Sequence, residues 1–254
     1  MLSQNRKSEI LQLAQSEGTI RVEDLARRFG VAEQTIRRDL AQLSQSGQLE
    51  RVHGGAVMSS GLGNLDYMQR RNRNTEGKAR IGRECARHIP NGATVFINIG
   101  TTTEAVAREM LTHTDLLVVT NSLNTANILA ANPNIEIVVA GGSLRRTDGG
   151  LLGNLTTQVV DLFKFDFAII SCAGIDNDLD LLDFDFQEVR ATKSIIRQSK
   201  SVFVVADSSK ILRSAPGRIG NLDDADTLFT DAPLPDSLDA KSRGLDTSVI
   251  VAGR

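Results

Sequence analysis

Cysteine is scarce in this chain: Cys85 and Cys172 stand far apart in 254 positions, and neither has a second cysteine or clustered histidine beside it. That excludes a disulfide framework and a cysteine-rich zinc site. Histidine is as sparse, and His53, His88 and His113 share no ligand spacing, so no metal is expected. No run of eighteen apolar residues occurs, and Met1-Leu2-Ser3-Gln4-Asn5-Arg6-Lys7 leads into an amphipathic stretch instead of a signal-peptide core. A cytoplasmic protein with no membrane partner is the expectation. Neither a Walker-type lysine after a Gly-rich loop nor a dinucleotide Gly-x-Gly-x-x-Gly is present, so no cofactor is expected and any ligand should be small.

What remains is ordinary globular material, with 41% apolar and 24% charged residues, which rules out a disordered or fibrous chain. The length favours two domains. The net charge of −2 is unevenly spread: residues 1–58 net +1, residues 59–80 net +3, and the rest carries −6. A mildly basic front on an acidic body fits a nucleic-acid-binding head.

In that front the apolar residues Ile10, Leu11, Leu13 and Ala14 fall at helical spacing between Arg6 and Glu17, and Gly18 supplies a stop. A second short helix is expected over 22–29, with Leu25, Ala26 and Phe29 on one side and Gly30 where a positive φ is needed. After the turn Gly30-Val31-Ala32, a third helix opens at Glu33 and puts Ile36, Leu40 and Leu43 on one face. Its other face carries Gln34, Thr35, Arg37, Arg38 and Gln42, the residue types that bond guanine, adenine, thymine methyls and phosphate. Gly47 ends this helix. Residues 48–57 then read as a strand, a turn at His53-Gly54-Gly55 and a return strand, which is a wing. There Arg51 and His53 are expected to contact DNA, and Gly54 and Gly55 to let backbone approach a phosphate.

The stretch from Val22 to Leu40, VEDLARRFGVAEQTIRRDL, followed by Arg51-Val52-His53-Gly54-Gly55-Ala56, resembles the signature of the DeoR family of bacterial repressors. One departure is Ala32, where the family has a serine N-cap; the loss should cost the third helix about 1 kcal/mol.

Ser59-Ser60-Gly61-Leu62-Gly63-Asn64 is polar and Gly-rich and marks a boundary. The expected organisation is a winged helix-turn-helix over 1–58, a linker over 59–74 and an effector-binding domain over 75–254. The basic run from Tyr67 to Arg73 fits either DNA tracking or packing between domains, and the structural reading is favoured. Beyond it, β-rich runs at 94–97, 116–120, 135–140, 167–170, 202–206 and 227–229 alternate with helical segments, which implies a mostly parallel sheet covered by helices. Ligands bind such sheets beyond the carboxyl ends of the strands. There lie Asn98, Gly100, Thr101, Thr102 and Thr103, then Asn121 and Ser122, then Gly141 and Gly142 with Arg145 nearby, then Gly174 and Asp176, and finally Asp207 and Lys210. Backbone amides, hydroxyls and helix N-termini suit a phosphate, Lys210 supplies a cation, and Asp176 and Asp207 supply acceptors for hydroxyls.

The runs at 98–102, 120–124, 140–145, 174–176 and 207–210 also resemble the DeoR sensor domain. The resemblance implies an α/β protein: an N-terminal winged helix-turn-helix plus a C-terminal Rossmann-like sensor domain related to sugar-phosphate isomerases. It implies a repressor bound to operator double-stranded DNA as a dimer or tetramer, and released by a small phosphorylated effector. The runs 96–102, 148–150 and 184–190 are most similar to the branch of the family that governs glycerol metabolism, which points to glycerol 3-phosphate and adds Glu188 to the site. Asn98 departs from an aspartate of the family, and Thr192 from a lysine. The displaced Lys193 turns about 100° around its helix and away from the pocket, leaving Arg145 and Lys210 as phosphate partners. The alternatives are a repressor that answers another sugar phosphate, or an isomerase with a DNA-binding head; Glu188, Asp176 and Lys210 would be the acid-base groups of the latter.

Overall fold

The computed structural model describes residues 3–17, 19–45, 49–52, 55–58 and 67–253. The chain forms two compact units, Met1–Leu65 and Asp66–Arg254. In the first, α1 (Ser3–Glu17), β1 (Thr19–Arg21), α2 (Val22–Phe29) and α3 (Glu33–Gln45) precede the hairpin of β2 (Leu49–Val52) and β3 (Gly55–Met58). The three strands are antiparallel in the order β1-β3-β2. β1, three residues long, is absent from the sequence reading; only pairing with β3 makes it a strand.

The core of this unit is built from the periodic positions: Ile10, Leu13 and Ala14 of α1, Leu25 of α2, and Ile36, Leu40 and Leu43 of α3, closed by Ile20, Leu49 and Ala56. Ala26 and Phe29 pack at its edge. Gly30 adopts φ 62°, ψ 36° and its N–H bonds Ala26 O, so a left-handed cap ends α2 as the glycine requires. Arg6 Nε donates to Asp39 Oδ2 at 2.6 Å, with both side chains buried, and fastens α1 to the inner face of α3. Removing one partner of such a pair costs about 3–5 kcal/mol, because the other charge is stranded.

The second unit opens with α4 (Tyr67–Asn72) and α5 (Thr75–Arg87). The range expected as linker therefore carries a helix, and that helix belongs to the body. Then follow β4 (Thr94–Ile97), α6 (Thr101–Glu109), β5 (Leu116–Thr120), α7 (Leu123–Leu129), β6 (Ile135–Val139), β7 (Ser143–Arg145), β8 (Gly150–Leu152) and α8 (Asn154–Val160). The remainder is β9 (Phe165–Ile170), β10 (Gly174–Ile175), β11 (Asp180–Asp183), α9 (Phe186–Arg197), β12 (Ser199–Val205), β13 (Gly217–Asn221), β14 (Thr227–Thr230), α10 (Asp236–Ser242) and β15 (Ser248–Val251). Seven strands form one parallel sheet in the order β15-β14-β12-β9-β4-β5-β6.

The alternation of side chains divides the body into two cores. Val95 and Ile97 of β4 face the core shared with Ile81, Cys85, Val106 and Phe229, while Phe96 faces the one shared with Phe165, Ile195 and Leu228. The chain leaves β4 towards β5 and β6 on one side and returns to β9, β12 and β14 on the other. The switch point lies between β4 and β9, and sheets of this kind bind ligands beyond the strand ends at such a point. The β7-β8 hairpin and the small sheet β10-β11-β13 are further elements that the sequence reading did not separate. Among the described residues no helix is long and apolar enough to cross a membrane, and no group of metal-ligating side chains occurs.

Candidate functional site

In the head, the inward positions of α3 are filled by Ile36, Asp39, Leu40 and Leu43, so the helix can turn only its other side outward. Gln34, Arg37, Arg38 and Gln42 are exposed there and Thr35 is half-buried. Arg37 Nη2 bonds Glu33 Oε2 at 3.0 Å in an exposed pair, whereas no ion pair of Arg38 occurs among the described residues. Exposed pairs of this kind contribute about 0.3–0.5 kcal/mol, so Arg37 remains available to an incoming phosphate or base. His53, Gly54 and the Arg51 side chain lie outside the described residues. Gly55 is committed to the fold: a Cβ there would meet Ile20 O at 2.0 Å, so the glycine lets β3 lie against β1.

At the strand ends of the body, hydrogen bonds divide the expected site residues into those that hold the fold and those with groups left over. Asn98 belongs to the first class. It sits at the switch point, where its Oδ1 accepts from Ser171 N at 3.0 Å and its Nδ2 donates to Ser171 O at 3.2 Å, tying the end of β4 to the end of β9. An aspartate would lack the donor for Ser171 O. Gly100 approaches Ser171 so closely that a Cβ would meet its Oγ at 2.2 Å, and the Thr103 hydroxyl reaches Asn98 O and Gly100 O at 2.8 Å. Thr101 is half-buried and Thr102 buried in the first turn of α6.

Ser122 caps α7 through Thr125 N. Gly141 O accepts from Thr156 Oγ1 at 2.6 Å, and Gly142, at φ 145°, would press a Cβ against Leu152 O. Gly174 lies where a Cβ would meet Arg213 O at 2.1 Å. Asp176, expected as an acceptor for ligand hydroxyls, accepts Asp178 N and Asp180 N through Oδ1 and shapes the β10-β11 turn.

The groups left over are charged or amide. Asn121 spends its Nδ2 on Leu151 O, while its buried Oδ1 has no partner among the described residues. Asp207 bonds Ser209 N through Oδ1, and its Oδ2 is likewise buried and unpartnered. Arg145 is held in three directions: Nε and Nη2 engage Asp148 at 2.8 and 2.7 Å, Nη1 engages Asp185 at 2.8 Å, and Nη2 lies 2.8 Å from Glu188 Oε2. Burial opposes its charge, and Asp148 with Glu188 outweighs burial, so Arg145 stays charged. Three carboxyls compete for this guanidinium, and Glu188 loses: burial, then the neighbouring Asp183 charge, pushes its carboxyl up to about 8. Burial raises Asp183 as well, against the amides of Phe184 and Asp185 that its carboxylate accepts.

Lys210 is the converse case. Burial, then the Arg213 charge, lowers its ammonium to about 8, and among the described residues no carboxylate comes within ion-pair range of it. Asp207 stands close enough to favour its charge, Arg70 close enough to oppose it. The Cys172 thiol itself is buried and pushed up to about 12, so it stays protonated and packs as a small apolar group. Lys193 is exposed on α9 and Thr192 is buried, as the one-residue displacement requires.

A family model described as the DeoR C terminal sensor domain matches residues 73–232, and one described as a DeoR-like helix-turn-helix domain matches residues 6–61. The chain belongs to the DeoR family. It is thus a DNA-binding transcriptional regulator built from the family's head and sensor. It is 43% identical to a glycerol-3-phosphate regulon repressor of Escherichia coli, over 94% of each chain. It is 44% identical to one of Haemophilus influenzae, over 89% of this chain and 88% of that one. The HTH-type transcriptional repressor CsqR of Escherichia coli is 38% identical, over 96% of this chain and 93% of that one. Among solved structures, ribose 5-phosphate isomerase A of Methanocaldococcus jannaschii is 16% identical over 54% of this chain and 55% of that one, with a TM-score of 0.40.

Members of the DeoR body's charged cluster escape the sequence reading, namely Lys78, Asp183 and Arg213, while Arg70 and Asp148 stand in runs it noted without pairing them. Lys78 left a signal, since it shares a helical face with Ile81, Gly82 and Cys85, where a charged residue is out of place. The others stand in loops or short elements, and only the fold brings them to one place.

Proposed function

We propose that this chain represses a carbon-utilisation operon and leaves its operator when glycerol 3-phosphate binds the body. The observation that carries the effector's chemistry is the Lys210 ammonium, set near Arg213 and Arg70 with no carboxylate in ion-pair range among the described residues. A phosphate ester supplies the missing anion, and the unpartnered oxygens of Asp207 and Asn121 suit the hydroxyls of a small polyol. The names of the relatives supply the particular ester. Gln34, Thr35, Arg37, Arg38 and Gln42 read the operator, aided by Arg51, His53 and Gly54 of the wing. Two-fold operators call for a dimer or tetramer. We read the body as a sensor and not as an isomerase, because the relatives are named repressors and because glycerol 3-phosphate has no carbonyl to isomerise.

Release requires that the effector bind the operator-free state more tightly than the operator-bound one. The test is operator binding of the wild type and of Arg38→Ala, alongside calorimetric titration with glycerol 3-phosphate. Arg38→Ala should weaken operator binding by about 1–3 kcal/mol and leave effector affinity unchanged. Equal loss of both would place the readout face elsewhere; a wild type indifferent to glycerol 3-phosphate and to other sugar phosphates would end the sensor reading.

A further inference from the structure

The basic run at 67–73 is held to the body by a set of buried and half-buried polar contacts. Arg70 is not a surface cation: its side chain is only 14% exposed, and Nη2 bonds Asp148 Oδ2 at 3.0 Å. Asp148 is the same carboxylate that Arg145 grips with two nitrogens, so two guanidiniums share one buried anion. Tyr67 Oη lies 3.0 and 3.1 Å from the two oxygens of buried Glu104, and Asn124 Nδ2 reaches Tyr67 Oη, Glu104 and Asp148 O. The buried Lys78 ammonium donates to Arg70 O and Arg73 O, the carbonyls at the end of α4. Asn74, at φ 49°, donates to Asp231 Oδ2 at 2.7 Å, and Asp231 Oδ1 accepts Ser208 N at 2.6 Å in the turn that carries Lys210.

The segment is therefore stapled to both principal cations of the effector site: to Arg145 through Asp148, and to the Lys210 turn through Asp231. We propose that Arg70 is an effector-responsive positioning residue, and that a phosphate ester entering between Arg145 and Lys210 draws Arg70 from Asp148 and so changes how residues 67–74 are held. Asp148 already accepts two guanidiniums, so a second anion beside it takes Arg70 without leaving a buried carboxylate unpaired. Because α4 is the first described element after the wing hairpin, its release or retention is a state of the body placed where the chain joins the head. The proposal rests on the effector reading above. Arg70 then serves the ligand as well as the packing of α4 on the body.

The test uses the full-length chain with glycerol 3-phosphate as the probe and follows amide hydrogen exchange in residues 67–74, calorimetric effector binding and operator affinity. Wild type should bind the probe, change the exchange of these amides by about fivefold or more, and lose operator affinity by a comparable factor. Arg70→Ala should hold the operator, yet change by less than about twofold when the probe is added, with its α4 amides insensitive to the probe. Tyr67→Phe, which keeps the ring and loses the Glu104 bond, should reduce the coupling without abolishing effector binding. If Arg70→Ala is released by the same factor as wild type, or if wild-type α4 exchange ignores a bound effector, the proposal is overturned. A wild type that binds no effector at all overturns the sensor reading instead, which calorimetry alone detects. Should Arg70→Ala fold poorly, Arg70→Lys and the wild-type exchange measurement still decide the matter.

Discussion

Glu188 and Lys210 are two residues with similar pKa values and opposite reasons for them. The Glu188 carboxyl is raised from 4.5 to about 8 by burial and by Asp183, so the folded state keeps a proton that the unfolded state has lost. Its contribution to stability is complete below about pH 4.5 and is lost as pH rises towards 8. Replacing it, Glu188→Gln, should flatten the fall in melting temperature between pH 5 and about 8, which a calorimetric series at several pH values checks; an unchanged slope would assign the proton to another group.

Lys210 is lowered from 10.5 to about 8 by burial and by Arg213, so its ammonium is present at neutral pH and lost just above it. Below pH 8 the folded chain carries the strain of a charged interior amine, and that strain is relieved as pH rises from 8 to 10.5. Ligand binding has the opposite trend. Affinity for a phosphate ester should fall by about tenfold per pH unit once the pH passes 8, and Lys210→Met should be weak throughout with no such bend. A pH-independent wild-type affinity between 7 and 10 would remove Lys210 from the anion site.

At the scale of elements, the third helix shows what local pattern can and cannot specify. Its buried Ile36, Leu40 and Leu43 and its exposed Gln34, Arg37, Arg38 and Gln42 follow from spacing alone, because a helix has one period and the head has one core. Its attachment does not. Arg6 and Asp39 lie 33 positions apart, and Arg70 and Asp148 lie 78 apart, so neither pair has a signature before the chain folds. Six of the seven strands of the parallel sheet were legible as apolar runs and β15 was not among them, whereas β1 and the small hairpins exist through their partners.

The site residues divide by the same rule. That Asp207 and Lys210 stand at a strand end was legible from the long apolar run before them, while the part Asp176 plays in shaping the β10-β11 turn was not. The N-terminus of α3 offers a test at this scale. Ala32 is exposed, and its carbonyl accepts Thr35 N at 2.9 Å, but its methyl carries no acceptor for the amides of the first turn. Ala32→Ser should stabilise the head by about 1 kcal/mol in denaturant melts, and a change below about 0.3 kcal/mol would show that another group already caps the helix.

The whole molecule joins two units whose chemistries are separable. The head presents an α3 face fixed by a small core and by the buried Arg6–Asp39 pair; the body gathers, around the strand ends, Asn98 at the sheet switch point and a cluster of buried charges that includes Arg145 and Lys210. Nothing in either chemistry requires the other, so their linkage must appear as a free energy shared between operator and effector. The measurement that tests this most directly is operator affinity, followed by fluorescence anisotropy at fixed salt, for wild type and Lys210→Met across a titration with glycerol 3-phosphate. Wild type should release the operator as the ester is added, while Lys210→Met should bind the operator as wild type does and hold it throughout. Release of Lys210→Met at the wild-type midpoint, or a wild type that ignores the ester, would contradict the account.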